Sequence, residues 1–159
     1  SKFYDGPESQ TYFLDLVFEA LNSIPGASQA KKKWTWIQLN KKLCSSSLFN
    51  AHGLKKDWIG YVEAMSMSDN GDLYLAVEIS DFGNEVYDLT VNEKLIDIVV
   101  NLKSKQGSKK KSGDLIIFSG FFTPGKSSEN ECLRAGWDAN PEITNEEFEF
   151  EFTDIKIAD

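Results

Sequence analysis

The final strand-like pattern of the chain limits its fold most. Between Glu147 and Ile157, Phe148, Phe150 and Phe152 alternate with Glu147, Glu149 and Glu151, the period of a strand with one buried face. After Thr153 the apolar set moves to Ile155 and Ile157, which belong to the other face. A strand that changes face midway needs an extra residue or a sharp bend, and sheets that close on themselves need such corners. The pattern predicts a small closed β-barrel.

A second stretch, Gly113-Asp-Leu-Ile-Ile-Phe-Ser-Gly-Phe-Phe122, reads as a buried strand entered from a turn. It also runs into Gly120-Phe-Phe-Thr-Pro-Gly-Lys-Ser127, which fits the phosphate-loop pattern G-x-x-x-x-G-K-[ST]. In that reading Gly120 and Gly125 let the backbone close on phosphates, Lys126 reaches the outer phosphates and Ser127 holds magnesium. Three facts oppose it. Only 32 residues follow Ser127, too few for a parallel sheet with a metal-holding strand. Phe121 and Phe122 put rings where backbone should wrap the anion. Glu129 and Glu131 put carboxylates at the helix start that should receive phosphate. The barrel strand is the better reading.

Upstream, Phe13, Leu14, Val17, Phe18 and Leu21 recur at helical spacing over 9–23, with Ser9 as N-cap and Pro25-Gly26 closing the element. Residues 28–44 are read as a helix with Trp36, Leu39 and Leu43 on one face, although Trp34 to Leu39 alternates weakly like a strand. Trp58 to Met67 reads as a strand with a bulge at Gly60. Ser68-Asp-Asn-Gly-Asp72 is a hairpin turn, and Leu73, Leu75, Val77 and Ile79 form the buried face of the next strand. A third strand spans 86–91. Asn92 then caps a short helix over 93–102, where the β-branched run leaves a strand open as the alternative.

The resulting order is three strands, a short helix, a strand, a long connection and a last strand. It resembles the oligonucleotide/oligosaccharide-binding fold, a five-stranded Greek-key barrel with a helix between its third and fourth strands. Lys111-Ser-Gly-Asp-Leu-Ile-Ile-Phe-Ser-Gly120 and Phe150-Glu-Phe-Thr-Asp-Ile-Lys-Ile157 are similar to the fourth and last strands of bacterial anticodon-binding-like domains of this type. The fold class expected is therefore α+β, mainly β: an OB-like barrel over 57–159 with an N-terminal helical extension, 1–56, packed on it as one compact domain. The resemblance implies a ligand face on strands two and three and on the connections beside them. Tyr74, Glu78 and Tyr87, with Asp69 in the first turn and Trp137 in the long connection, are the candidate binding residues.

Charge decides what that face could take. The chain carries a formal charge of −8, which disfavours polyanions. Yet Lys31 to Lys56 holds seven Lys and no acid, and Lys103 to Lys111 holds five Lys and no acid. The candidate face is acidic, so the primary expectation is a non-catalytic binding module for a protein, basic in character, or for a small ligand. The alternative is single-stranded nucleic acid, held by Lys31, Lys32, Lys33, Lys109, Lys110 and Lys111 with Trp34 and Trp36 as stacking platforms. Nucleotide binding through Gly120–Ser127 is the third reading.

No acid–base pair or nucleophile constellation stands out. His52, the single histidine, reads as a surface loop residue, and no metal or cofactor site is expected. Asp154, where the last strand changes face, is expected to be part-buried and hydrogen-bonded. Cys44 and Cys132 are expected as two free thiols, with a disulfide in an exported protein as the alternative. The chain begins Ser-Lys-Phe-Tyr-Asp without an initiator Met, as a mature chain with its leader removed would. No apolar run is long enough to span a membrane.

Overall fold

The computed structural model describes residues 2–105, 112–125, 132–134 and 147–158. Five strands close into a barrel in the order β1-β2-β3-β5-β4: β1 Lys55–Met67, β2 Leu73–Glu78, β3 Glu85–Asp88, β4 Leu115–Phe122 and β5 Glu147–Ile157. All neighbours are antiparallel except β3 and β5, which run parallel. Two helices, α1 (Glu8–Asn22) and α2 (Gln29–Ser45), precede the barrel. A 3₁₀ turn at Glu93–Leu95 and the short α3 (Ile96–Val99) lie between β3 and β4. The mainly β, α+β architecture expected from the sequence is the one observed, and the short helix expected over 93–102 is present as Glu93–Val99 rather than a strand. Asn92 caps it, its side chain accepting from the Lys94 amide at 2.9 Å. No helix among the described residues is long and apolar enough to cross a membrane.

The bend expected in the last strand lies at Thr153. Ser119 pairs with Asp154 and Gly120 with Phe152, so Thr153 is the extra residue on β5. Asp154 itself is exposed, contrary to expectation. The buried carboxylate is Asp88, at the end of β3, whose two oxygens accept the Thr90 and Phe152 amides at 3.1 Å each. These bonds end β3 at Asp88, earlier than the predicted Val91. Nor is Gly60 the bulge of β1. That strand is irregular between Lys55 and Trp58, where Asp57 takes φ 58°, and again between Val62 and Ala64. Gly60 is required for another reason: a Cβ there would strike Val77 and the Glu78 carbonyl. In the hairpin turn only Gly71, φ 85°, takes the left-handed conformation; Asn70 does not.

The helices close the barrel with aromatic rings. Phe13 of α1 lies 5.3 Å from Phe122 and from Phe148 and 5.6 Å from Trp58, all centroid to centroid, and it stacks on Phe49 at 5.4 Å. Trp36 stacks on Phe148. One polar side chain is buried among them with full satisfaction. Gln10 accepts the Ile59 amide and donates to the Ile59 carbonyl, both at 2.8 Å. Ile59 lies before the stretch of β1 that pairs with β2, so Gln10 supplies the partner that a neighbouring strand otherwise would. Ser9 is not the N-cap; Pro7 holds that position, and the Ser9 hydroxyl accepts from the Trp58 indole at 3.0 Å.

Cys44 of α2 and Cys132 are joined in a disulfide, with Cα atoms 5.5 Å apart. This corrects the expectation of free thiols. The 88-residue separation says nothing about distance once β4 brings its exit beside the end of α2. Arg134 continues from the bridge onto the sheet: its amide donates to Thr123 and its carbonyl accepts from Glu149, both at 2.8 Å.

Candidate functional site

The outer surface of β1, β2, β3 and β5 follows from their register. Leu73, Leu75 and Val77 point inward and are fully buried, so Tyr74, Ala76 and Glu78 point outward. Tyr61, Glu78, Glu85 and Glu147 are successive cross-strand partners and form one row. Ala64, Ala76, Tyr87 and Glu149 form the next. Tyr87 thus stands diagonal to Tyr74, and their rings lie 6.4 Å apart across the small Ala76. The structure brings together three residues singled out in the sequence, Tyr74, Glu78 and Tyr87, and adds Glu85 beside them and Glu147 at the end of the row.

Three carboxylates opposite one another at strand spacing cannot all be ionised without cost. Burial, a hydrogen bond with Glu147, and the charges of Glu147, Glu63 and Glu78 push Glu85 up to about 8. Glu85 therefore holds a proton at neutral pH and relieves the row. Glu78 is also raised, by burial first and then by Glu63, with Lys105 opposing. Lys105 reaches Glu63 at 3.9 Å and Arg134 reaches Glu149 at 3.7 Å, one cation at each margin. Burial and the neighbouring carboxylates hold the phenols of Tyr74 and Tyr87 above their ordinary pKa, so both rings stay neutral O–H donors. Among the described residues, no group of three His, Cys, Asp or Glu side chains is placed to hold a metal ion.

The other candidates are dispersed. Asp69 is exposed in the β1–β2 turn, beyond the Ser66–Tyr74 pair. Trp137, Lys109, Lys110 and Lys111 lie outside the described residues, as do Lys126 and Ser127. Gly120, the first residue of the phosphate-loop pattern, sits inside β4 between antiparallel neighbours. A Cβ there would strike the Glu151 carbonyl and the Phe150 ring, which accounts for the glycine by packing alone. Lys31, Lys32 and Lys33 occupy the first turns of α2 with Trp34, which is 51% exposed. Trp36 is part-buried, stacked on Phe148 against the core.

Glu147 stands out in the sequence as part of the Glu147-Glu149-Glu151 alternation, but Glu85 and its pairing with Glu147 do not, because 62 residues separate them. The available signal was the topology itself: placing the last strand parallel to Glu85-Val86-Tyr87 sets Glu147-Phe148-Glu149 beside it. No family model matches the chain, and no curated protein matches its sequence.

Proposed function

We propose that this chain is a non-catalytic binding module of the oligonucleotide/oligosaccharide-binding type, and that its outer β1-β2-β3-β5 face receives a basic segment of a protein partner. Support for the type comes from the strand order and from the helix between β3 and β4. The observation that carries the function is the Glu78–Glu85–Glu147 row beside the Tyr74–Tyr87 pair. An arriving Lys or Arg would release the Glu85 proton, gain an ion pair, and lay its stem or guanidinium on a tyrosine face. A phosphate backbone would meet repulsion on the same surface. The disulfide fits an oxidising compartment, where such a module would meet its partner outside the cytosol.

The test is an NMR titration of the intact protein with a Lys/Arg-rich peptide, an acidic peptide of equal length, and oligo-dT. The expected result is salt-sensitive shifts on β2, β3 and β5 with the basic peptide only, weakened about tenfold in the double variant Glu78→Gln/Glu147→Gln. Unperturbed barrel amides, or an unchanged affinity in the variant, would remove the proposal. The single-strand alternative rests on Trp34, the more exposed of the two tryptophans, with Trp36 part-buried beside it. Shifts with oligo-dT confined to α2 would favour it.

A further inference from the structure

The helical extension carries a second surface that the barrel face does not explain. Between α1 and α2 lies a groove of about 210 Å³. Its walls are two helical stripes, Leu16, Ala20 and Ser23 on α1 against Thr35, Leu39 and Lys42 on α2. The spacing of each stripe is that of neighbours on one helix face. From Lys31 to Lys42 the α2 wall runs about 16 Å at 1.5 Å per residue, three turns of helix. Leu16, Ala20 and Leu39 make its base apolar, and Trp34 stands half out of the rim.

Charge gives the occupant its sign. Lys31 and Lys42 line the two ends, and Glu19 is the acid beside them. The Lys31 ammonium lies 4.1 Å from the centre of the Trp34 ring, so the rim combines an exposed indole with a fixed cation. The start of α2 also runs against ordinary helix electrostatics. Its first turns carry Lys31, Lys32 and Lys33 and no acid, at the end where the helix dipole is already positive. That arrangement costs helix stability and concentrates positive potential at the mouth of the groove. A local rule broken in this way is a place to look for function.

We infer that the α1–α2 groove is a docking site for an acidic amphipathic helix of a protein partner. Such a helix would complete a three-helix layer, with apolar residues at i, i+3/4 and i+7 on Leu16, Ala20, Leu39 and Trp34 and its carboxylates toward Lys31 and Lys42. A nucleic-acid strand fits less well. The Trp34 face that would stack a base already carries Lys31, the base of the groove is apolar, and Glu19 opposes phosphate. This site is separate from the proposed barrel face and takes the opposite charge.

The test is a displayed library of helical peptides of about 12 residues, selected on the intact, disulfide-bonded protein. Enrichment of acidic sequences with helical apolar spacing is expected. Their affinity should fall roughly 10- to 30-fold in Trp34→Ala. It should also fall with rising salt and in Lys31→Glu/Lys42→Glu, and stay unchanged in Glu78→Gln/Glu147→Gln. Circular dichroism and the urea midpoint confirm that the exposed-position variants remain folded. No enrichment, enrichment without acidic bias, or binding indifferent to both groove variants overturns the inference. So does oligo-dT binding, or a concentration-dependent dimer in sedimentation, that Trp34→Ala abolishes while no peptide is enriched. A failed barrel-face titration with intact peptide enrichment leaves this inference standing.

Discussion

The basic helix and the acidic barrel face carry opposite charge, and the geometry beneath each decides what that charge costs. Lys31, Lys32 and Lys33 are consecutive, yet successive residues of a helix splay about 100° apart around the axis, and solvent reaches between them. Glu78 and Glu85 face each other across one hairpin and Glu147 comes from 62 residues beyond Glu85, yet the sheet sets all three in a row at roughly 5 Å between neighbouring Cβ atoms. The helix tolerates its surplus as a field in water. The sheet cannot, and takes up a proton on Glu85. One surface thus carries its charge openly in water, whereas the other sheds part of its charge by holding a proton.

Cutting the covalent tie between the two regions has the largest expected effect. Replacing both cysteines, Cys44→Ser/Cys132→Ser, frees an 88-residue loop in the unfolded chain. It should cost about 4.6 kcal/mol in urea unfolding by the chain-entropy argument. A loss under about 1 kcal/mol would mean that the helices hold the barrel without the bridge. Next is Gln10→Ala, which leaves the Ile59 amide and carbonyl unpaired in the interior and should cost about 2–4 kcal/mol. A neutral result would show that water or backbone movement replaces the side chain.

The protonated Glu85 gives the barrel face a pH signature. The folded chain holds this proton up to about pH 8, while the unfolded chain releases it near the ordinary 4.5. The folded state therefore binds more protons across that window, and this group's contribution to stability declines as pH rises from 4.5 to 8. Urea midpoints between pH 5 and 8.5 should fall less steeply in Glu85→Gln; equal slopes would place the proton elsewhere. The smallest effect is expected at Asp69. Asp69→Ser in the exposed turn should stay within about 0.5 kcal/mol and leave basic-peptide affinity within about twofold. A tenfold loss would extend the site into the turn.

The same contrast explains what could be read in advance. The Phe148-Phe150-Phe152 alternation and its break at Thr153 announced both strand and bulge, because both are local consequences of period two. The lysine run was legible for the same reason. The Glu85–Glu147 contact and the Cys44–Cys132 bridge were not, since each joins segments that meet only when the barrel closes. Gln10 was unreadable for a different cause. A glutamine on a helix ordinarily faces water, and nothing near it in sequence announces that Ile59, paired with Ile117 on one side, lacks a strand on the other.

That single glutamine has a practical corollary for anyone wishing to study the barrel in isolation. Expressed from residue 57 onward, the sheet would expose the Ile59 rim and lose Phe13 and Phe49 from its mouth, presenting bare backbone and a greasy opening together. Such a fragment should stick to its own copies, so truncation boundaries belong upstream of Gln10, where the helix serves as the missing rung.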